Sequence, residues 1–379
     1  PHSRSTLVRR PFMTLLQLRA AALALPLLLL ADASAADTAA LSDDETSLLQ
    51  TSLGVRLPAA ATVGVKVAMP PAMKQLSKGP SGPIQNRSVP QFVVDLDAAP
   101  EQRWRNVTRH YKSLGVFPDC CSFSASELES YRSLLASVPV DEEYRREIAG
   151  IVADVGHSAV TVDSLILMSM AYEIFSAVDN PFLKPDAHRI PTGFGCSGVL
   201  AATPDGTVVH GRNLDFFGFE VDVSGRTLHF PDVAVEALFL RGGKPLMIST
   251  QFPGQTGIHT AMRFGGWSFE QNLRFSQSES NKLFGVLRHG EGYMLRARRI
   301  MEITPDFETA VQRLYDANYM APSYFVVAGT NPFEGAVLTV DRGREHLQGR
   351  GTPPILRLSN TTVGLRGDHQ RAGWDIVQT

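Results

Sequence analysis

Cysteine is scarce in this 379-residue chain, which holds Cys120, Cys121 and Cys196 and no others. No pair of C-x-x-C motifs exists to cage a structural zinc ion. The sequences H-E-x-x-H, G-x-x-x-x-G-K-[ST] and G-x-S-x-G are missing as well, so a zinc-protease helix, a P-loop and a serine nucleophile elbow have no support. Nor is there an excess of one charge. Lys and Arg number 36 against 38 Asp and Glu, a net charge of −2, which lacks the basic surplus of a nucleic-acid footprint. Internal repeats, heptads and low-complexity tracts are absent. The histidines are scattered, and His210, His259 and His289 read as structural or exposed residues rather than metal ligands. No cofactor is expected.

Long hydrophobic runs are also lacking. The longest, "AAALALPLLLLA", stops well short of the about twenty residues that a membrane span needs. It follows "MTLLQLR" from Met13 and precedes small residues at Ala33 and Ala35, which together have the form of a secretory signal cut after Ala35. A buried or anchoring helix is the other reading of the run. Residues 1–35 are thus set aside as upstream sequence and signal. Secretory passage agrees with acceptor triplets at Asn86, Asn106 and Asn360. The adjacent Cys120 and Cys121 would be strained if joined, so they are expected to pair elsewhere or to stay reduced and buried, leaving Cys196 as the odd thiol.

Helical patterns dominate the first half and hairpins the second. "QFVVDLD" reads as a strand and "APEQRWRNVTRHYKSLG" as a helix with Pro100 near its first turn. From 126 to 177 the pattern is mostly helical, ending in the apolar "SLILMSMAYEIF", and a proline-bracketed loop over 181–191 leads to Cys196. Beyond it come hairpins over 196–215, in "EALFLRGGKPLMIST" and in "SYFVVAGTNPFEGAVLTVDRGRE", with helices expected over 278–301 and 306–318 between them. This alternation suggests a layered protein of helices and antiparallel sheets, since each hairpin needs its apolar face covered.

The chemistry-bearing stretch is "GCSGVLAATPDGTVVHGRNLDF", Gly195 to Phe216. Gly193-Phe194-Gly195-Cys196-Ser197-Gly198 matches G-x-G-x-x-G, but a proline-rich loop precedes it and a strand follows, whereas a dinucleotide loop leaves a strand and opens a helix. "FPDCCSFSASE" around Cys120 lacks a papain-type signature. Turn residues Thr203-Pro204-Asp205-Gly206 divide two strands of similar length, so Arg212, Asn213 and Asp215 return beside Cys196. A guanidinium near a thiol favours the thiolate. The alternative is a buried free cysteine under a hairpin with an ordinary ion pair near its end.

"CSGVLAATPDGTVVHGRNLDF" resembles the nucleophile hairpin of the acid ceramidase and N-acylethanolamine-hydrolysing acid amidase family: a Cys, a short strand, a turn, then H-G-R-N-x-D. "PQFVVDLDAAPEQRW", "FPGQTGIHTAMRFGGWSFEQNLRFS", "YFVVAGTNPFEGAVLTVDR" and "WDIVQT" are similar to other stretches of that family, so the resemblance covers roughly 90–379. It implies an α+β, four-layer αββα N-terminal nucleophile hydrolase. Self-cleavage between Gly195 and Cys196 would give an α chain over 36–195 and a β chain over 196–379, paired as a heterodimer. Cys196 would be nucleophile and N-terminal residue, positioned by Arg212 and Asp215, with Asn272 contributing. The implied substrate is a lipid amide, hydrolysed in a lysosomal or secreted setting, and the apolar α-chain segment would be core or a membrane-surface contact. Two departures from the family pattern stand out. Leu273 replaces its acidic residue, and Thr379 stops one position short of an expected Asn. The second departure is expected to mark a sequence truncated inside an apparent core strand, and a catalytically inactive relative that binds lipid or a partner is the alternative.

Overall fold

The computed structural model describes residues 89–173, 195–215, 220–274, 290–344, 355–359, 364–367 and 374–378. The signal-like segment, Asn86, the loop over 181–191, His289, Asn360 and Thr379 lie outside them. In β10 (Ser323–Ala328) every residue is buried, yet the strand still obeys period two. Phe325 and Val327 pack with the helices, while Tyr324, Val326 and Ala328 join a separate cluster with Leu200. A strand covered on both faces reads as a continuous apolar run, which is why "SYFVVA" shows no polar alternation.

The sheet around it has eight strands in the order β1-β6-β7-β8-β9-β10-β11-β12. These are β1 (Gln91–Asp95), β6 (Val235–Arg241), β7 (Lys244–Gln251), β8 (Thr260–Arg263), β9 (Ser268–Leu273), β11 (Gly335–Val340) and β12 (Ile355–Arg357), with β10 already placed. A second sheet runs β13-β14-β2-β3, from β13 (Gly364–Gly367), β14 (Trp374–Gln378), β2 (Gly195–Ala202) and β3 (Val208–Asp215). A small pair, β4 (Glu220–Val223) and β5 (Arg226–His229), completes the strands described. The expected antiparallel pairing holds except for β1 beside β6 and β14 beside β2, which are parallel. Hairpins impose antiparallel neighbours, whereas these two pairs join segments distant in sequence.

The helices are α1 (Arg105–Leu114), α2 (Ala125–Ser130), α3 (Arg132–Ser137), α4 (Glu142–Val155), α5 (Val162–Ser169), the single turn α6 (Phe230–Val233), α7 (Tyr293–Ile303) and α8 (Phe307–Asp316). Asp306 caps α8 by accepting from Thr309 N–H at 2.9 Å, and Thr161 and Ser164 form a reciprocal cap on α5. The arrangement seen is helices, large sheet, small sheet. Val199 and Val209, on the outer face of the small sheet, are 45% and 57% exposed, and no helix among the described residues covers them.

One expectation needs correction. Cys120 and Cys121 are joined to each other. Both are buried, with Cys121 Sγ against Pro253 O at 3.7 Å, so the pair is enclosed in the core. Of the two readings of the apolar segment beginning at Ser164, the core one holds for the described residues, because Leu165, Ile166, Leu167, Met168 and Met170 are all buried. Among the described residues no helix is long and apolar enough to cross a membrane.

A buried ionic cluster ties residues before Cys196 to residues after it. Arg298 on α7 grips Glu147 on α4 with both terminal nitrogens, at 2.6 and 2.8 Å, and its Nε donates to Glu302 at 2.8 Å. Arg103 and Trp104 also donate to Glu147, at 2.8 and 2.6 Å, and the Tyr144 ring lies 4.4 Å from the Arg298 guanidinium carbon. Burial pushes the Glu147 carboxyl up, but the Arg298 charge and these donors outweigh it and hold it below 4.5. Glu147→Ala is expected to cost about 3–5 kcal/mol in urea unfolding, since it strands a buried cation, whereas Glu147→Leu with Arg298→Met should cost less. The Glu147 contribution is present above pH 4.5 and lost as pH falls through its lower folded value.

Candidate active site

The hairpin of β2 and β3 is built as the turn residues dictate. Gly206 takes φ +89°, and its N–H donates to Thr203 O at 2.8 Å. Its tip is fastened to the large sheet, where Phe333 N–H donates to Gly206 O at 2.8 Å. Register then sets Cys196 opposite Leu214, Gly195 opposite Asp215 and Gly198 opposite Arg212. The uncut Gly195–Cys196 peptide thus begins a paired strand.

By alternation Cys196, Gly198 and Leu200 share the face toward the large sheet, as do His210 and Arg212 from β3. Arg212 Nη2 lies 3.6 Å from Cys196 Sγ. Its guanidinium is fixed by backbone acceptors: Nη1 donates to His259 O at 2.6 Å and Nη2 to Gln271 O at 2.9 Å. The structure therefore brings Cys196 and Arg212 together. Asp215 is placed by register only, because its side chain lies outside the described residues.

Asn272 sits on β9 facing Gly198. Its amide nitrogen can lie 3.3 Å from Glu270 Oε1. Turned over, its oxygen accepts from Gly198 N–H at 3.2 Å and its nitrogen donates to Gln271 O at 3.1 Å. The turned amide satisfies two backbone groups, so we adopt it. Asn272 then ties the β2–β3 hairpin to β9. Asn106 is exposed on α1, as a glycan acceptor would need.

Several neighbours escape sequence reasoning. Glu270, on the same face of β9 as Asn272, is fully enclosed, with its Oε2 3.9 Å from Arg212 Nε and 3.7 Å from His210 Nε2. Its period-two offset from Asn272 was the available signal. His259 and Tyr293 are hydrogen-bonded to each other, and Tyr293 is close enough to Cys196 to feel its charge. Burial, with the Arg212 charge behind it, pushes the His259 ring down to about 3, so it stays neutral. Burial also raises the Tyr293 hydroxyl well above its usual range. Glu173 accepts from Tyr293 N–H at 2.8 Å, and burial pushes its carboxyl up to about 7. A cavity of about 510 Å³ opens between β3 and the large sheet, bounded by His210, Arg212, Glu270, Met262, Phe264 and Trp267. That volume suits a small ligand. No cluster of metal-ligating side chains occurs among the described residues.

A cysteine at the head of a strand, with a guanidinium supplied by the returning strand, is the make-up of a candidate thiol nucleophile site. Comparison with known proteins agrees with the family seen in the hairpin motif. A family model described as the beta subunit of N-acylethanolamine-hydrolyzing acid amidase matches residues 87–115, a stretch upstream of Cys196 that contains β1 and all of α1. Human acid ceramidase is 25% identical over 314 residues, covering 76% of this chain and 73% of that one. Mouse N-acylethanolamine-hydrolyzing acid amidase is 27% identical over 260 residues, covering 67% and 64%. A solved Caenorhabditis elegans ortholog of that amidase overlaps with a TM-score of 0.32 at 24% identity, covering 38% of this chain and 58% of that one, an overlap that carries no argument. The chain is thus similar to the acid ceramidase and N-acylethanolamine-hydrolyzing acid amidase family over about three quarters of its length.

Two outcomes follow from the packing. At Gly198 a Cβ would fall 1.7 Å from Glu270 Oε1, so Gly198→Ala should lower the melting temperature in thermal denaturation. The raised Glu173 carboxyl favours the fold fully below its unfolded value of 4.5, and that advantage is lost as pH rises through about 7. Glu173→Gln should therefore remove about 3 kcal/mol of pH-dependent stability between those limits, read from denaturation curves at several pH values.

Proposed function

We propose that this chain is a self-processing cysteine amidase that hydrolyses the amide bond of N-acylated lipids. The observation that carries the reading is the 3.6 Å approach of Arg212 Nη2 to Cys196 Sγ at the head of β2. Its relatives are named for ceramide and N-acylethanolamine hydrolysis, and the substrate class is taken from them.

In the processing step Cys196 Sγ attacks the Gly195 carbonyl carbon. The peptide C–N bond breaks, and water hydrolyses the resulting thioester. The α chain then ends at Gly195 and the β chain begins at Cys196, the two staying together as a heterodimer. The matching family model is described as a beta subunit although its residues fall upstream of this cut; our chain labels follow the cut alone. The freed α-amine has an ordinary pKa of about 7.7–8.0 and can take the thiol proton, so no histidine base is required.

In turnover Sγ forms a bond to the amide carbon and the carbonyl π pair moves to oxygen. Collapse of that oxyanion expels the amine, which leaves with the proton held by the α-ammonium. Water then cleaves the thioester, releasing fatty acid and restoring the thiol. Arg212 holds the sulfur side, Asp215 is assigned to the new amine, and Asn272 fixes the hairpin against β9. Donors aimed at such an oxyanion are worth about 3–4 kcal/mol each. The cavity beyond Arg212 offers room for part of the substrate.

The wider reading includes an αββα sandwich in which a further layer covers Val199 and Val209. It also includes secretory passage with glycans at Asn86, Asn106 and Asn360, and action in a lysosomal or secreted setting. One observation favours a second reading, an inactive lipid-binding relative: Leu273 stands where the family carries an acid.

Acidification of the purified chain should yield a fragment whose N-terminal sequence is Cys-Ser-Gly-Val. The processed protein should hydrolyse fluorogenic N-acyl amides. Cys196→Ala is expected to remain one chain and to lose at least about a thousandfold in turnover. Full amidase activity in Cys196→Ala would overturn the mechanism. A chain that stays whole and inactive at every acidic pH would favour the second reading.

A further inference from the structure

The Arg212 guanidinium is a buried cation that donates to the uncharged carbonyls of His259 and Gln271 and lies against Cys196 Sγ. Backbone carbonyls orient a guanidinium but do not cancel its charge, and an unbalanced buried charge is costly. The carboxylate set against it is Glu270, with a fully enclosed side chain and Oε2 3.9 Å from Arg212 Nε. Gly198 leaves the space into which this carboxylate projects, as the 1.7 Å approach of a Cβ shows. The carboxylate also faces His210 Nε2 at 3.7 Å, and the His210 ring is fixed through Nδ1 to Ser268 Oγ at 2.7 Å. Neither Glu270 Oε2 nor Arg212 Nε has a hydrogen-bond partner, so their link is one of charge.

The titratable groups that meet the sulfur, or meet Arg212 and Tyr293 beside it, or Glu270 beyond Arg212, come from five places. Arg212 and His210 lie on β3, Glu270 on β9, His259 before β8, Tyr293 on α7, and Tyr172 and Glu173 on the stretch after α5, with Asp215 opposite Gly195 by register. His259 and Tyr293 are held neutral by burial, as is Tyr172, whose hydroxyl is pushed up to about 12. Glu173 is largely protonated below about pH 7. We propose that Glu270 is a positioning residue that acts on Cys196 through Arg212, as the counter-ion that sets how readily the thiol gives up its proton. Its catalytic consequence rests on the amidase reading, but the effect on the thiol does not.

Iodoacetamide labelling of Cys196 against pH tests this in the full chain, where Cys120 and Cys121 are already joined. Glu270→Gln keeps the shape and removes the charge. With Arg212 then unopposed, the labelling midpoint should fall by about one pH unit, the size expected for a charge partner at this range. Glu270→Asp retains a carboxylate but withdraws it, so its midpoint should lie between the two. Melting curves establish that each variant is folded. An unmoved midpoint in folded Glu270→Gln overturns the proposal. Should that variant not fold, Glu270→Asp carries the test, and a midpoint coincident with the parent overturns it. A shifted midpoint without amidase activity in any variant, the parent included, supports the counter-ion role and counts against the amidase reading instead.

Discussion

The bidentate pair between Arg298 and Glu147 is the constraint on which the rest of the fold leans. Both side chains are wholly enclosed, and both recruit further partners: Glu302 and the Tyr144 ring for the arginine, Arg103 and Trp104 for the glutamate. Such a cluster tolerates no half measures, because each charge is affordable only while the others are present. It fixes α4 against α7, and so joins the helical first half of the chain to the sheet-forming second half. Against that fixed layer the large sheet presents its other face to the hairpin.

The chemistry arises on that other face. Period two on β9 sends Phe269 to the helix side and Glu270 and Asn272 toward Gly198, while period two on β2 and β3 sends Cys196, His210 and Arg212 to meet them. Charges gathered between two sheets are shielded from water, where each is worth more than at a surface. The same enclosure explains the neutral His259 and the reluctant Glu173, and it makes the site sensitive to each charge that remains. Mildly acidic conditions suit both ends of the molecule: Glu173 is then content in its burial, while Glu147 keeps the charge its arginines require.

Much of this was legible in the residues. Thr203 to Gly206 announced the turn, and equal arms on either side were enough to bring Arg212 to the sulfur. The Gly242-Gly243 hairpin and the strands β10 and β11 were equally plain. What stayed hidden depends on strands far apart in sequence. Glu270 belongs to the site only because β9 lies under β2; its period-two offset from Asn272 places it on a shared face but does not say what that face meets. His259 and Tyr293 enter from a loop and a helix that approach the sulfur only in three dimensions. The two adjacent cysteines were misjudged because geometric strain was weighed without the enclosure that leaves them no other described thiol nearby. The apolar stretch after Ser164 left core and membrane open, since hydrophobicity alone does not say what covers a helix.

The docked tip of the nucleophile hairpin has a mechanical consequence. Gly206 is clamped to Phe333 at the end of the ribbon farthest from the sulfur, and a larger residue there would strike Pro332. Were the proposed cut ahead of Cys196 made, the ribbon would behave as a cantilever, released at its origin while the anchored bend holds the line of the arm. The exchange of a leaving segment for an incoming ligand would then be confined to the strand's first residues, leaving the register from Ser197 onward in place.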